Sequence, residues 1–292
     1  MTSFTTSRLA RPWTGLTLGL LLLACTEKSK SGAPAPTPPP AAPAPPAVNE
    51  EARDYNQYTE LRWSDEFNGG TLDQTKWSYE LGGHGWGNEE LQNYTNSPDN
   101  SFLSGGNLVI QARRQQSGTN AYTSARLITK GKQSFRYGRL DVRAKVPKGK
   151  GVWPAIWMLG SDFDQVGWPA CGEIDIMELR GSRPTELIST MHFGTSPADH
   201  KYKGTTKNLT FDLSEDFHVF SVVRSKDLLR FYLDGQQYYS FTPADANPFP
   251  FNNPFFVILN VAIGGKFDGN PDASTVLPQQ MQVDYVRHYE YR

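Results

Sequence analysis

Glu173-Ile174-Asp175-Ile176-Met177-Glu178 sets three acids among apolar residues. Side chains of a strand alternate between faces, so Glu173 and Asp175 share one face and Ile174 and Ile176 the other. Strict alternation would put Met177, not Glu178, beside the first two acids. A bulge, one extra residue in the strand, returns Glu178 to the acid face. The plain alternative is a solvated strand face. Against it stand the flanks, Trp168-Pro-Ala-Cys-Gly172 before and Leu179-Arg-Gly181 after, which do not resemble a polar surface edge. Upstream lies Trp153-Pro-Ala-Ile-Trp157, whose aromatic rings suit stacking on sugars.

Working outward, strand signals dominate. Gly138 to Val146 alternates cleanly, with Leu140, Val142, Ala144 and Val146 one way and Arg139, Asp141, Arg143 and Lys145 the other. Leu228 to Phe241 reads as a hairpin turning at Asp234-Gly235. Phe255 to Val261 is apolar enough for a buried strand, and Met281 to Tyr291 alternates as a closing one. Asn107 to Ala112, Leu187 to Phe193 and Phe217 to Val223 are further strands. No long segment has a helical period. Many short strands broken by Gly, Pro, Asn and Asp predict an all-β, two-sheet sandwich of the jelly-roll kind.

The first part of the 292-residue chain is different. Residues 1–25 read as an export signal: Arg8 and Arg11, an apolar run from Leu16 to Leu23, then Ala24-Cys25. The run is short for a membrane span, which needs about 20 residues. Leu22-Leu-Ala-Cys25 is similar to the bacterial lipoprotein signal, in which the Cys becomes the lipidated first residue. Thr26 after it, in place of Asp, points to the outer membrane in a Gram-negative cell. The alternatives are an ordinary signal cut nearby, with an extracellular product, and an uncleaved anchor. Residues 26–52 form a Pro/Ala-rich linker, an extended spacer rising about 3.1 Å per residue. Residues 53–292 are then one domain, ample for a core.

Charge excludes one class of partner. The whole chain carries net −1; without the signal it holds 27 basic and 30 acidic residues, net −3, with no basic run, so nucleic acid is not expected. Lipidation of Cys25 leaves Cys171 without a partner for a disulfide. Stability must then come from the size of the core, with a metal as a further source. Aromatics make up 12% of residues, several of them beside Gly and Asn, as in carbohydrate binders.

From Trp63-Ser-Asp-Glu-Phe67 to Val283-Asp-Tyr-Val-Arg287 the domain resembles glycoside hydrolase family 16, in particular its bacterial laminarinases, the endo-β-1,3-glucanases. The landmarks are Gly85-Trp-Gly-Asn-Glu-Glu-Leu-Gln-Asn-Tyr-Thr95, Tyr122-Thr-Ser124, Tyr137-Gly-Arg139, Trp153-Pro-Ala-Ile-Trp-Met158, Gly172-Glu-Ile-Asp-Ile-Met-Glu178 and Phe255-Phe-Val-Ile-Leu-Asn260. The acid motif with its extra residue is the most specific. One departure is Ala125 after Tyr-Thr-Ser, where many relatives carry Gly. The resemblance implies a concanavalin-like jelly roll with a sugar cleft across its concave sheet. It implies Glu173 as nucleophile, Glu178 as general acid/base and Asp175 as the acid between them, a retaining pair of carboxyls about 5 to 5.5 Å apart.

Binding positions follow by the same carry-over. Trp153, Trp157 and Trp168 are implied as stacking platforms, with a place in the core as the alternative for each. Asn88 and Glu89 sit in a Gly-rich loop expected at the cleft rim. Arg139 stands where the family has a cleft arginine, although alternation alone reads it equally as a solvated strand charge. His192 resembles a cleft histidine, with a structural histidine as the alternative. Catalysis needs no cofactor. A structural calcium is implied at Glu66, Gly106 and Asp284, mostly through backbone oxygens, the donor type calcium prefers.

The expected partner is a β-glucan, handled by a monomer tethered to a membrane through its N-terminal lipid. Three functions compete. The first is an endo-β-1,3-glucanase, with mixed-linkage β-1,3-1,4-glucan as a further substrate. The second is a family member acting on another polymer, such as a galactan. The third is a non-catalytic glucan-binding protein, which the presence of all three acids argues against.

Overall fold

The computed structural model describes residues 53–292. The signal at 1–25 with Cys25, and the linker at 26–52, lie outside the described residues. The described strands are β1 (Tyr58–Asp65), β2 (Ser78–Tyr79), β3 (Gln92–Tyr94), β4 (Ser101–Ser104), β5 (Asn107–Ser117), β6 (Asn120–Ser124), β7 (Arg126–Ile128), β8 (Gly138–Lys145) and β9 (Val152–Gly160). After them come β10 (Glu173–Glu178), β11 (Glu186–Phe193), β12 (Lys201–Asn208), β13 (His218–Ser225), β14 (Leu228–Leu233), β15 (Gln236–Phe241), β16 (Phe255–Ile263) and β17 (Gln279–Tyr291). The α-helix among them, α1 (Phe163–Val166), is a single turn.

These strands form a jelly roll of two stacked sheets. One has seven strands in the order β12-β11-β10-β9-β16-β7-β2. The other has ten, with the path β15-β14-β13-β8-β17-β5-β6-β3, β1 added on β17 and β4 on β5. Neighbours that are distant in sequence, such as β9 and β16, make the sandwich dependent on long-range pairing.

Period-two alternation places the core between the sheets. On β8, Leu140, Val142 and Ala144 enter the core, while Arg139 and Arg143 face out and Asp141 lies under the outer cover. From the other sheet, Ile174, Ile176 and Met177 meet that core. Full burial of an aliphatic chain of this size is worth about 1.5–3 kcal/mol. β16 is buried along all nine residues, the pattern of a strand covered on both faces. The hairpin turns at Asp234 (φ 50°) and Gly235 (φ 75°), the left-handed pair that a two-residue turn between twisted strands requires.

Boundaries shift modestly from the sequence expectation. β5 runs on to Ser117, and the strand expected from Phe217 begins at His218. β1, β6, β9 and β12 are among the strands that lie outside the sequence expectation. Lys201-Tyr-Lys-Gly-Thr-Thr-Lys-Asn208 has no apolar alternation because it is an edge strand, paired only with β11 and largely exposed. Lysines on such an edge discourage pairing with another chain.

Candidate active site

The expected bulge is present in β10. Against β9, Glu173 pairs with Leu159, Asp175 with Trp157, and then Met177 with Ile156 and Glu178 with Ala155, so Ile176 is the extra residue. The register against β11 shifts at the same place. Ile176 and Met177 both go to the core, and Glu173, Asp175 and Glu178 come out on the opposite face. Gly172, just before the strand, sits at φ 79° with Pro250 and Phe255 close by; a Cβ there would meet Pro250 Cγ at 2.8 Å.

Two indoles hold the outer acids. Trp168 Nε1 donates to Glu173 Oε2 at 3.0 Å, and Trp153 Nε1 donates to Glu178 Oε1 at 3.0 Å. His192 lies opposite Glu173 on β11. Its Nε2 is 3.2 Å from Asp175 Oδ2 and 3.7 Å from Glu173 Oε1. Asp175 is 4% exposed and Glu178 8%, so these carboxyls have lost most of their water.

Burial and crowding set the electrostatics. Burial, reinforced by the neighbouring Asp175, pushes Glu173 up to about 7, with His192 and Trp168 pulling the other way. Burial and then Asp175 hold Glu178 well above the usual carboxylate range. Burial alone would lower His192, but the Asp175 carboxyl 3.2 Å from its Nε2 and the charge of the surrounding acids outweigh that and raise it to about 9. A histidine cation therefore sits among the acids at neutral pH.

Cross-strand register extends this face across the sheet. Trp157 lies opposite Asp175 on β9, Asn260 opposite Ala155 on β16, Arg126 opposite Asn260 on β7, and Tyr202 opposite His192 on β12. Directly opposed residues point to the same side of a sheet. Trp157 is held at two points: its Nε1 donates to Asn260 Oδ1 at 2.7 Å and the Arg126 guanidinium covers its ring at 4.7 Å. Trp153 stacks on Phe267 at 4.6 Å. These contacts put Trp153 and Trp168 at the acids and tie Trp157 into the floor.

The Gly-rich loop is organised around a residue that sequence reasoning passed over. Glu90 is buried and accepts from Asn88 Nδ2 (3.1 Å), Gln92 Nε2 (2.7 Å) and Tyr94 OH (3.3 Å). Burial raises its pKa, the three bonds opposing. Asn260 Nδ2 donates to the same Tyr94 hydroxyl, linking the loop to the floor under Trp157. Glu89 instead points to solvent and pairs with Lys266 at 3.2 Å.

Arg139 is not brought to this face. It lies on β8 of the other sheet, facing away from the core, between the rings of Tyr55 and Tyr289 at 4.2 and 4.4 Å and 3.1 Å from Asp141. The arginine on the acid-bearing sheet is Arg126, which covers Trp86 as well as Trp157 and pairs with Glu80. Alternation marks Arg139 as outward-facing but gives no such signal in the three-residue β7, so the sheet assignment is what sets Arg126 apart. Asn260 did carry a signal: it is the lone polar residue in the apolar run of β16.

The positions implied for calcium lie on the other sheet and its edge. Their carboxylates are committed to guanidiniums: Arg287 grips Glu66 through two bonds of 3.0 and 2.7 Å, and Arg143 holds Asp284 at 2.5 Å. Gly106 is in the β4–β5 turn. Cys171 is buried and free.

The sequence matches the family described as Glycosyl hydrolases family 16 over residues 88–287. It is 44% identical over 263 residues to the Glucan endo-1,3-beta-glucosidase A1 of Niallia circulans, an alignment covering 79% of this chain and 38% of that longer protein. To the Beta-glucanase of Rhodothermus marinus it is 40% identical over 262 residues, 84% of this chain and 90% of that one. Among solved structures, the laminarinase catalytic domain of Thermotoga maritima MSB8 superposes with a TM-score of 0.75 at 44% identity, covering 79% of this chain and 98% of that chain.

Proposed function

The chain belongs to the glycosyl hydrolases of family 16, and on that premise we propose that it is a retaining endo-β-1,3-glucanase. The observation that carries the reading is the bulge at Ile176, which puts Glu173, Asp175 and Glu178 on one face under the indoles of Trp168 and Trp153. Relatives named as 1,3-glucanases, similar to this chain over most of its length, support the choice of linkage.

Each carboxyl has a defined task. Glu178, held protonated by burial and Asp175, gives its proton to the glycosidic oxygen. Of the two reacting acids Glu173 gives up its proton before Glu178, and its carboxylate attacks the anomeric carbon as the bond to the leaving oxygen breaks. The product of this step is a glycosyl ester on Glu173. A water then loses its proton to Glu178 and displaces the ester, restoring the starting configuration. Asp175 and His192 share the charge beside the nucleophile. Trp153 and Trp168 border the reacting sugar, and the Asn88 loop forms the rim on the Arg126 side.

Three further readings belong to the same proposal. Mixed-linkage β-1,3-1,4-glucan is a second substrate. The protein is exported and lipid-anchored through Cys25, with the Pro/Ala linker as its tether. Calcium, held by backbone oxygens near Glu66, Gly106 and Asp284, is structural and takes no part in bond cleavage.

A polysaccharide panel with product sizing tests the reading. Laminarin should be cut fastest, into short oligosaccharides of mixed size, with mixed-linkage glucan second and cellulose and agarose untouched. Faster cutting of agarose or carrageenan would replace β-glucan by a galactan as substrate while leaving the acids in place.

A further inference from the structure

We propose that His200 is a positioning residue for the acid cluster, holding His192 protonated on both ring nitrogens and aimed at Asp175 and Glu173. The segment between β11 and β12 brings His200 Nε2 to 2.9 Å from His192 Nδ1, with the two rings 17° from parallel. His200 also lies on the Trp168 ring, centroids 4.4 Å apart. It thus touches both side chains that contact Glu173.

The protonation pattern follows from what surrounds each nitrogen. His192 Nε2 faces two carboxyl groups and must carry a hydrogen to bond either. On the other side, one nitrogen of the His192–His200 pair must donate and the other accept. Were His200 the donor, His192 would be neutral beside the acids. Were His192 the donor, it would be a cation at that place, with a neutral His200 as acceptor. The groups facing His192 favour the second arrangement: Glu173, Asp175 and Glu178 from β10, with the uncharged Trp168 and Tyr202 completing its surroundings. Burial and the neighbouring His192 charge both hold His200 below the usual histidine range, which suits an acceptor.

The consequence reaches Glu173, because the His192 charge is among the influences that lower its pKa. Without an acceptor on Nδ1, the His192 cation loses a charge-assisted hydrogen bond, and its pKa should fall by about one pH unit. Glu173 then binds its proton more tightly in the pH range where His192 has become neutral.

The inference rests on the glucanase reading for its kinetic arm only. NMR titration of the His192 ring nitrogens needs no substrate, so a protein inactive on laminarin would still test it. In the unaltered protein, both His192 nitrogens should be protonated at neutral pH. His200→Phe keeps a ring against Trp168 and removes the acceptor, whereas His200→Gln supplies an amide oxygen. His200→Phe should lower the His192 titration and cost activity on laminarin only where His192 is neutral in the variant and still charged in the original, so that kcat/KM falls more at about pH 8.5 than at about pH 6. His200→Gln should restore most of both. A His192 that is singly protonated at neutral pH in the unaltered protein would overturn the proposal, even if the variants failed to fold. So would an unmoved His192 titration in folded His200→Phe, or a loss of activity equal at all pH values.

Discussion

Ile176 and Met177 are neighbours on β10 and both are fully buried in the core between the sheets. Consecutive strand residues normally face opposite ways. Their shared direction is the bulge seen from inside, and it is what returns Glu178 to the face of Glu173. The site's geometry thus depends on two apolar side chains being drawn into the core as much as on the acids.

Glu173→Gln and Glu178→Gln should each cut turnover on laminarin by several orders of magnitude without loss of fold. Asp175→Asn should cost less, since it tunes its neighbours and forms no bond to the sugar. First-formed product should be the β-anomer, seen by NMR before mutarotation. An initial α-anomer would mean inversion and would remove the ester on Glu173 from the mechanism.

Trp168→Phe and Trp153→Phe should separate the two limbs of the pH profile. Each indole N–H favours the ionised form of the acid it touches. Trp168→Phe should therefore raise the Glu173 pKa and move the acid limb of kcat/KM upward from about 7. Trp153→Phe should raise the Glu178 pKa and move the alkaline limb upward instead. The same limb moving in both variants would contradict the assignment of the two acids.

Glu178→Gln should stabilise the protein at neutral and alkaline pH. In the folded state the Glu178 pKa is raised above its unfolded value near 4.5, so unfolding releases a proton at higher pH. That release favours the unfolded state increasingly as pH rises above about 4.5 and stops growing above the folded pKa. Below that window the variant and the original should melt alike, and through it the variant's Tm should pull ahead. A Tm difference independent of pH would show that Glu178 is not held protonated by the fold.

Calcium should raise Tm and leave kcat on laminarin nearly unchanged, because the backbone oxygens proposed to bind it belong to the sheet that lacks the acids. A cation that binds only the folded state stabilises in proportion to the logarithm of its concentration. Melting curves with calcium and with a chelator that coincide would exclude the site.

Cys25→Ala should release the protein from the membrane fraction, as expected if the Leu-Leu-Ala-Cys signal places the only anchor there. Continued membrane association of this variant would rule out lipid on Cys25 as the tether.

The sequence by itself determined what is local. Three acids, their alternation and the extra residue lie within a single strand, so period two and one bulge were enough to predict their common face. The same rule made Leu140, Val142 and Ala144 core residues and placed the hairpin turn at Asp234-Gly235. Tertiary structure decided everything that joins strands far apart in the chain. Arg126 and Arg139 look alike in sequence, both charged and both on strands, yet one lies on the acid-bearing sheet and the other on the back of its partner. Glu90, Asn260 and Tyr94 become one network only when the Gly-rich loop meets β16, and His200 reaches His192 only because β12 folds back along β11. The reason is physical. Strand periodicity says which way a side chain points, while its neighbours across the sheet are set by which strands pair and in what register.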